Sequence, residues 1–219
     1  MSSECLFCEA SRFSLNNSIG LPGEESIIYQ DENVYITPDI APIVFGHFLI
    51  ITKEHYNCFG STDDAVFASL EKAKVYLEEV IFSKTPLLFF EHGSVIDHTA
   101  GCCIDHAHLH AVPLISDLNI DAYIKNSGFV EADGRRADRN ALKLCAAEQQ
   151  PYLYFQTGDS QSWYYPVGHL PSQFFRMMIA SHILGEYNWK QLYQSRESQA
   201  LFRQTLDFAH KKSSEVVHI

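Results

Sequence analysis

The stretch 101–113, GCCIDHAHLHAVP, sets histidine at positions 106, 108 and 110, just after two adjacent cysteines. On an extended strand, residues i, i+2 and i+4 share one face. His106, His108 and His110 then point one way and Ala107, Leu109 and Ala111 the other. The apolar set is small enough for a helix to pack closely, and the polar set suits a cleft. Three readings are open for the imidazoles: surface groups on an edge strand, a metal site, or nucleophilic catalysis. The first asks three of the chain's 11 histidines to fall within five positions by chance. For the second, same-face neighbours stand roughly 6.5–7 Å apart, so His106 and His108 could share an ion at ~2.0–2.1 Å per bond. All three could hardly reach one ion from a straight strand. For the third, a neutral imidazole is a good nucleophile at neutral pH and an effective leaving group once phosphorylated. A flanking histidine could then hydrogen-bond the phosphate or carry a proton.

Outward from this strand, PLLFFEHG (86–93) reads as its neighbour across a Gly/Ser/Thr/Cys loop. GHFLIIT (46–52) reads as a buried strand, and SIIYQDENVYITPDI (26–40) as two short strands turning at Asp31-Glu32-Asn33. Between them Val66, Phe67, Leu70, Ala73, Leu77, Val80 and Ile81 recur at helical spacing after Ser61, which precedes Asp64 at capping-box distance. This predicts a helix near 62–83. Strands, a helix and more strands predict an α+β fold with an antiparallel sheet. Further on, 126–140 reads as a polar connection, and 151–168 as an aromatic hairpin turning at Gly158-Asp159. A helix from Pro171-Ser172 carries Phe174, Phe175, Met178, Ile179 and Ile183 and stops at Gly185. A last stripe holds Leu201, Phe202, Thr205, Leu206 and Ala209.

The 219 residues suit one domain with a long extension or two small ones, with 46% hydrophobic and 20% charged residues. A net charge of −11, with no basic block beyond Lys211-Lys212, disfavours nucleic acid and anionic membranes as partners. No run nears the ~20 apolar residues of a membrane span. The N-terminus lacks the pattern of a signal peptide, so a cytoplasmic location is expected. In a reducing compartment the six cysteines read as thiols or metal ligands.

The motif HAHLHAV resembles the His-φ-His-φ-His-φ-φ signature of the histidine-triad (HIT) nucleotide hydrolases and transferases. GHFLIITKEH (46–55) is similar to a second segment of that superfamily, and CLFC (5–8) looks like the Cys-φ-φ-Cys of its zinc-containing bacterial members. The resemblance covers residues 5 to about 115. It implies a five-stranded antiparallel sheet with packed helices in a catalytic core over 1–115, often paired as a homodimer. Residues 116–219 would form a C-terminal extension of hairpin and helices packed on that core. The implied partner is a nucleotide or dinucleotide, and the implied activity is a nucleotidyl hydrolase or transferase acting on the α-phosphate of a dinucleoside polyphosphate or related nucleotide. His108 would form a covalent nucleotidyl-histidine intermediate. His110 would hold phosphate oxygens and support the leaving group. Cys5, Cys8, His55 and His106 would be ligands of a structural zinc, since four N/S ligands close a tetrahedral site. Two ordinary thiols are the plainer reading of Cys5 and Cys8. Asp39 would bind ribose hydroxyls, or else serve as a turn aspartate after Pro38.

Departures from the pattern bear on the chemistry. Where the family carries Gly-Gln-Ser/Thr before the triad, this chain has Gly101, Cys102 and Cys103, and a thiol replaces the hydroxyl that assists the leaving group. Glu91 stands where the family often has Asn or Gln, and would repel polyphosphate unless protonated, paired with His92 or bound to a metal; a structural Glu91–His92 pair is the alternative. The segment LPSQFFR (170–176) looks like an element of longer HIT-like proteins, including some related to RNA-processing factors. From there Ser172, Gln173 and Arg176 could present donors to a substrate, or the helix could simply pack Phe174 and Phe175 on the sheet. Two other functions stay open: a zinc-stabilised nucleotide-binding or interaction module without turnover, and an RNA-processing-related HIT-like factor.

Overall fold

The computed structural model describes residues 5–96, 104–114, 118–158, 161–184 and 195–216. Eight antiparallel strands form one sheet: β1 (Tyr29–Gln30), β2 (Val34–Pro38), β3 (Phe48–Thr52), β4 (Leu87–Gly93), β5 (His108–Pro113), β6 (Arg135–Arg136), β7 (Tyr152–Gln156) and β8 (Ser162–Pro166). Their order across the sheet is β1-β2-β3-β5-β4-β7-β8-β6. The first five are the expected five-stranded sheet, and the fold is α+β. The aromatic hairpin β7–β8 extends that sheet: β7 pairs with β4 in the register Phe90↔Phe155 and His92↔Leu153. Main-chain pairing therefore continues across the boundary expected near residue 115.

Six helices among the described residues cover the sheet: α1 (Glu9–Ser18), α2 (Asp64–Val75), α3 (Ile120–Asn126), α4 (Arg139–Ala147), α5 (Phe174–Leu184) and α6 (Arg196–Val216). Helix α2 lies on one face and buries Val66, Leu70 and Ala73 against Ile50, Leu109 and Ala111. It runs on as a π-helical turn over Tyr76–Ile81, which buries Leu77 and Ile81. Its N-cap is Asp63, whose side chain accepts the Val66 N–H, so the expected cap at Ser61 moves by two residues. Ser61 instead ends a short 3₁₀ turn, Phe59–Ser61. The opposite face is covered from two sides. Helix α5 packs Phe175, Met178 and Ile179 on Phe90, Leu153 and Phe155. The N-terminal segment packs Phe7 on Tyr35, Leu49 and Ile51.

The stretch 126–140, expected as a plain connection, holds the edge strand β6 and opens α4, where the Asp138 side chain accepts the Ala141 N–H. Helices α1, α3 and α4 have no counterpart among the expected elements. Gly46 enters β3 at φ +81, where a Cβ would strike the Phe82 ring, and its N–H donates to Thr205 Oγ1 of α6. Both terminal halves of the chain thus brace β3.

Candidate active site

Strand β5 lies between β3 and β4, with His110 opposite Leu49 on one side and Phe90 on the other. Alternation places His108, His110, Phe90 and His92 on the face that α5 and Phe7 cover. Each imidazole there has one nitrogen committed, and the commitments fix the tautomers.

His106 comes just before the strand. Its Nε2 faces the Thr52 carbonyl at 2.8 Å, an acceptor only, so Nε2 carries the proton. That leaves Nδ1 bare, 3.3 Å from Cys5 Sγ and 3.9 Å from Cys8 Sγ. His55 Nδ1 is 3.8 Å from Cys8 Sγ, and the four ligand atoms all lie within 4.8 Å of one another. A tetrahedral ion with bonds of ~2.0–2.3 Å separates its ligands by roughly 3.3–3.8 Å. The donor set therefore fits a metal ion, and Thr52 supplies the outer hydrogen bond that holds a ligating histidine.

His108 donates from Nδ1 to the His106 carbonyl at 2.6 Å, which leaves the Nε2 lone pair uncommitted among the described residues. The ring is 7% exposed and meets the Phe7 ring edge-on at 4.8 Å. Burial lowers its pKa to about 4, so the imidazole is neutral at physiological pH.

His110 stacks on Phe90 with centroids 4.5 Å apart. A buried relay sets its tautomer. The Ile43 N–H donates to His47 Nδ1 at 3.2 Å, so neutral His47 carries its proton on Nε2. That proton points to His110 Nδ1 at 2.9 Å, and His110 is left with Nε2–H as its free donor. Burial holds both rings neutral, with His47 lowered to about 3 and His110 well below its usual value. Asp39 Oδ2 backs the relay at 3.6 Å from His47 and 3.7 Å from His110. It also takes an N–H from Arg176 at 2.5 Å, while Oδ1 accepts the Ala41 N–H. Burial alone would raise the Asp39 carboxyl; Arg176, then His47, hold it well below the usual carboxylate range. Asp39, His47 and His110 are close enough to share an ion, but the Arg176 guanidinium already supplies the cation.

The expected site residues divide accordingly. His106, His108, His110, Cys5, Cys8, His55, Asp39 and Arg176 come together. Asp39 is buried against Arg176 and the relay, not turned toward an open cleft. Arg176 spends its two Nη groups on Asp39 and the Ala41 carbonyl. Glu91 does not enter the site: alternation along β4 turns it to the α2 face, where it accepts the Phe59 N–H at 2.7 Å and the Tyr152 hydroxyl at 2.8 Å. It cannot pair with His92, which points to the opposite face. Burial raises its pKa to about 7. His92 lies on the histidine face, but its Nε2 accepts the Phe175 N–H at the start of α5. Gln173 sits before α5 at φ +66 with its Oε1 buried and unpartnered among the described residues, and no described contact joins it to the histidines. Gly101, Cys102 and Cys103 lie outside the described residues.

Two residues of the site were missed. His47 lies inside the GHFLIIT segment, but its role appears only when β3 and β5 are in register. Arg12, on α1, is fully buried beside Phe7 and donates to the Pro38 carbonyl at 3.0 Å.

Residues 23–116 match the family model described as HIT domain, a segment that holds β1 to β5 and less than half of the chain. The chain is 28% identical over 112 residues to an uncharacterized HIT-like protein of Methanocaldococcus jannaschii, covering 50% of this chain and 78% of that protein. Among solved structures, it resembles a HIT family hydrolase from Clostridium thermocellum at 27% identity and TM-score 0.38, over 54% of this chain and 96% of that one. It also resembles the yeast Ap4A phosphorylase Apa2 at 15% identity and TM-score 0.46, over 92% and 79% of the two chains. Among the described residues no helix is long and apolar enough to cross a membrane.

Proposed function

We propose that this chain is a HIT-type nucleotidyl hydrolase or transferase that attacks the α-phosphate of a dinucleoside polyphosphate or related nucleotide through His108. One observation carries the reading: the opposed tautomers of neighbouring rings, a bare Nε2 on His108 and an Nε2–H on His110, with centroids 5.0 Å apart. A lone pair is what a bond to phosphorus requires, and a fixed neutral donor beside it can hold the phosphoryl oxygens as charge shifts. His108 Nε2 bonds to the α-phosphorus as the bond to the leaving oxygen breaks, and the leaving group departs with that electron pair. Water or another acceptor then forms the new P–O bond and releases its proton to solvent, the P–N bond breaks, and the lone pair returns to His108. His110 donates to the phosphoryl oxygens throughout. The HIT-domain match over the triad supports the same reading.

Zinc is the ion proposed for Cys5, Cys8, His55 and His106. It would act structurally, tying the N-terminal segment to the base of β5. A cytoplasmic setting, a nucleotide as small-molecule partner and a homodimer go with this reading. The test offers diadenosine polyphosphates, nucleoside phosphoramidates and nucleotide sugars to the protein, with and without inorganic phosphate. Wild type is expected to release nucleoside monophosphate or its transfer product, and His108→Ala to lose about 10³-fold or more of the rate. An acid-labile adduct should map to His108. Unchanged turnover in His108→Ala sinks the mechanism. Metal analysis should find about one zinc per chain, lost in Cys5→Ser.

A further inference from the structure

Arg12 is 0% exposed. Its Nη2 donates to the Pro38 carbonyl, but Nε and Nη1 find no acceptor among the described residues. Buried polar groups are almost always hydrogen-bonded, and an unpaired buried guanidinium donor is costly enough to need a reason. Arg176 gives the contrast, since it is matched by Asp39. The balance of fixed charge around the histidines is two guanidinium groups, one carboxylate and neutral imidazoles. The chain as a whole carries a net −11, so the surroundings of the histidines are positive against the sign of the molecule.

Arg12 also stands in the right place for the histidines. Its guanidinium carbon lies 5.6 Å from the centre of the Phe7 ring, and that ring also meets His108 edge-on at 4.8 Å. Arg12 acts electrostatically on both His108 and Asp39. The main chain fixes its position one turn beyond Cys8, whose carbonyl accepts the Arg12 N–H at 3.0 Å.

We infer that Arg12 is a phosphate-binding residue of the triad site, whose unpaired Nε and Nη1 donors take non-bridging oxygens of the substrate's phosphate chain. This rests on the nucleotide reading of His108 and deepens it: the N-terminal segment then carries a substrate-binding group as well as metal ligands. A planar guanidinium offers several donors in fixed directions to phosphate oxygens, which an ammonium cannot reproduce. The substrate class it selects is an anionic polyphosphate over a nucleoside or a phosphate ester with a neutral leaving group.

Calorimetry with inorganic pyrophosphate and with adenosine tests this on wild type, Arg12→Lys and Arg12→Met. Pyrophosphate is expected to bind wild type, to weaken about tenfold or more in Arg12→Met and to fall between the two in Arg12→Lys, with adenosine affinity unchanged. Should Arg12→Met fail to fold, Arg12→Lys keeps the charge and stem, and the Arg12 Nε–H resonance of wild type is followed during the pyrophosphate titration. A shift on binding supports the inference. Equal pyrophosphate affinity in a folded Arg12 variant overturns it, as does a wild-type resonance that stays fixed or a wild type that binds no pyrophosphate. Failure of the catalytic reading looks different: pyrophosphate binds through Arg12, yet His108→Ala turns over nucleotides like wild type.

Discussion

The two faces of the central strands are both buried and both carry polar groups, yet they are finished differently. On the α2 face, Glu91 is the polar intruder, and both its oxygens are met by the Phe59 N–H and the Tyr152 hydroxyl. Tyr152 in turn accepts the Gly60 N–H. Everything there closes on itself, which is the mark of a structural network. On the histidine face His110 and His92 each have one nitrogen held by a group far away in sequence, His47 and the Phe175 N–H, while His108 Nε2, His110 Nε2 and two nitrogens of Arg12 have no partner among the described residues. The satisfied network on the α2 face is structural, whereas the open donors and lone pair around His108 are free for a ligand.

The hardest test of this contrast removes a partner that the histidine face does possess. Arg176→Met leaves the Asp39 carboxylate buried without its closest cation. Breaking such a pair costs about 3–5 kcal/mol because the remaining charge stays desolvated. Chemical denaturation should show a loss of that order, and adding Asp39→Asn should restore a good part of it. A double variant no more stable than Arg176→Met would mean that Arg176 acts through packing on α5, not through charge.

The faces should also respond to pH with opposite signs. His47, His92, His106 and His108 have folded pKa values of about 3 to 4, all below the usual 6.5. Below pH 6.5 the unfolded chain therefore takes up protons that the folded chain refuses, and stability falls as pH drops from about 6.5 toward 3–4. Glu91 is raised, from 4.5 to about 7. Its contribution is complete below pH 4.5 and is lost as pH rises through about 7. Glu91→Gln should remove the alkaline limb. It is expected to lie near wild type at pH 5 and to gain about 1–3 kcal/mol on it by pH 9. Parallel stability curves for the two proteins would show that Glu91 does not titrate where its burial puts it.

Local pattern made part of this legible. The triad needs only a period of two and α2 only its apolar stripe, while the grouping of Cys5, Cys8, His55 and His106 came from the family resemblance. What failed needed register. Glu91 is placed with the nucleotide by its position in the family pattern, but Phe90, not Glu91, lies opposite His110, and the face follows from that pairing. His47 looked like one polar residue in a strand segment until Leu49 was set opposite His110. Arg12 belongs to no motif, and nothing in sequence reveals that its donors go unpaired. The cap of α4 at Asp138 was hidden in a polar run, and a two-residue strand such as β6 carries almost no periodicity.

The smallest expected effect is the sharpest probe of the tautomer argument. His47→Phe keeps a ring in the buried slot but removes the donor to His110 Nδ1 and the acceptor of the Ile43 N–H. His110 is then free to place its proton on either nitrogen, and its donor toward a phosphate is no longer assured. Outer groups that orient a functional histidine are worth about 10–100-fold, so kcat on the preferred nucleotide should fall within that range while pyrophosphate affinity holds. His47→Gln can still donate one amide N–H toward His110 and accept from Ile43 through its oxygen, and should recover most of the rate. If both variants lose the same rate, the relay matters only as packing. The division between a closed face and an open one would then rest on His108 and Arg12 alone.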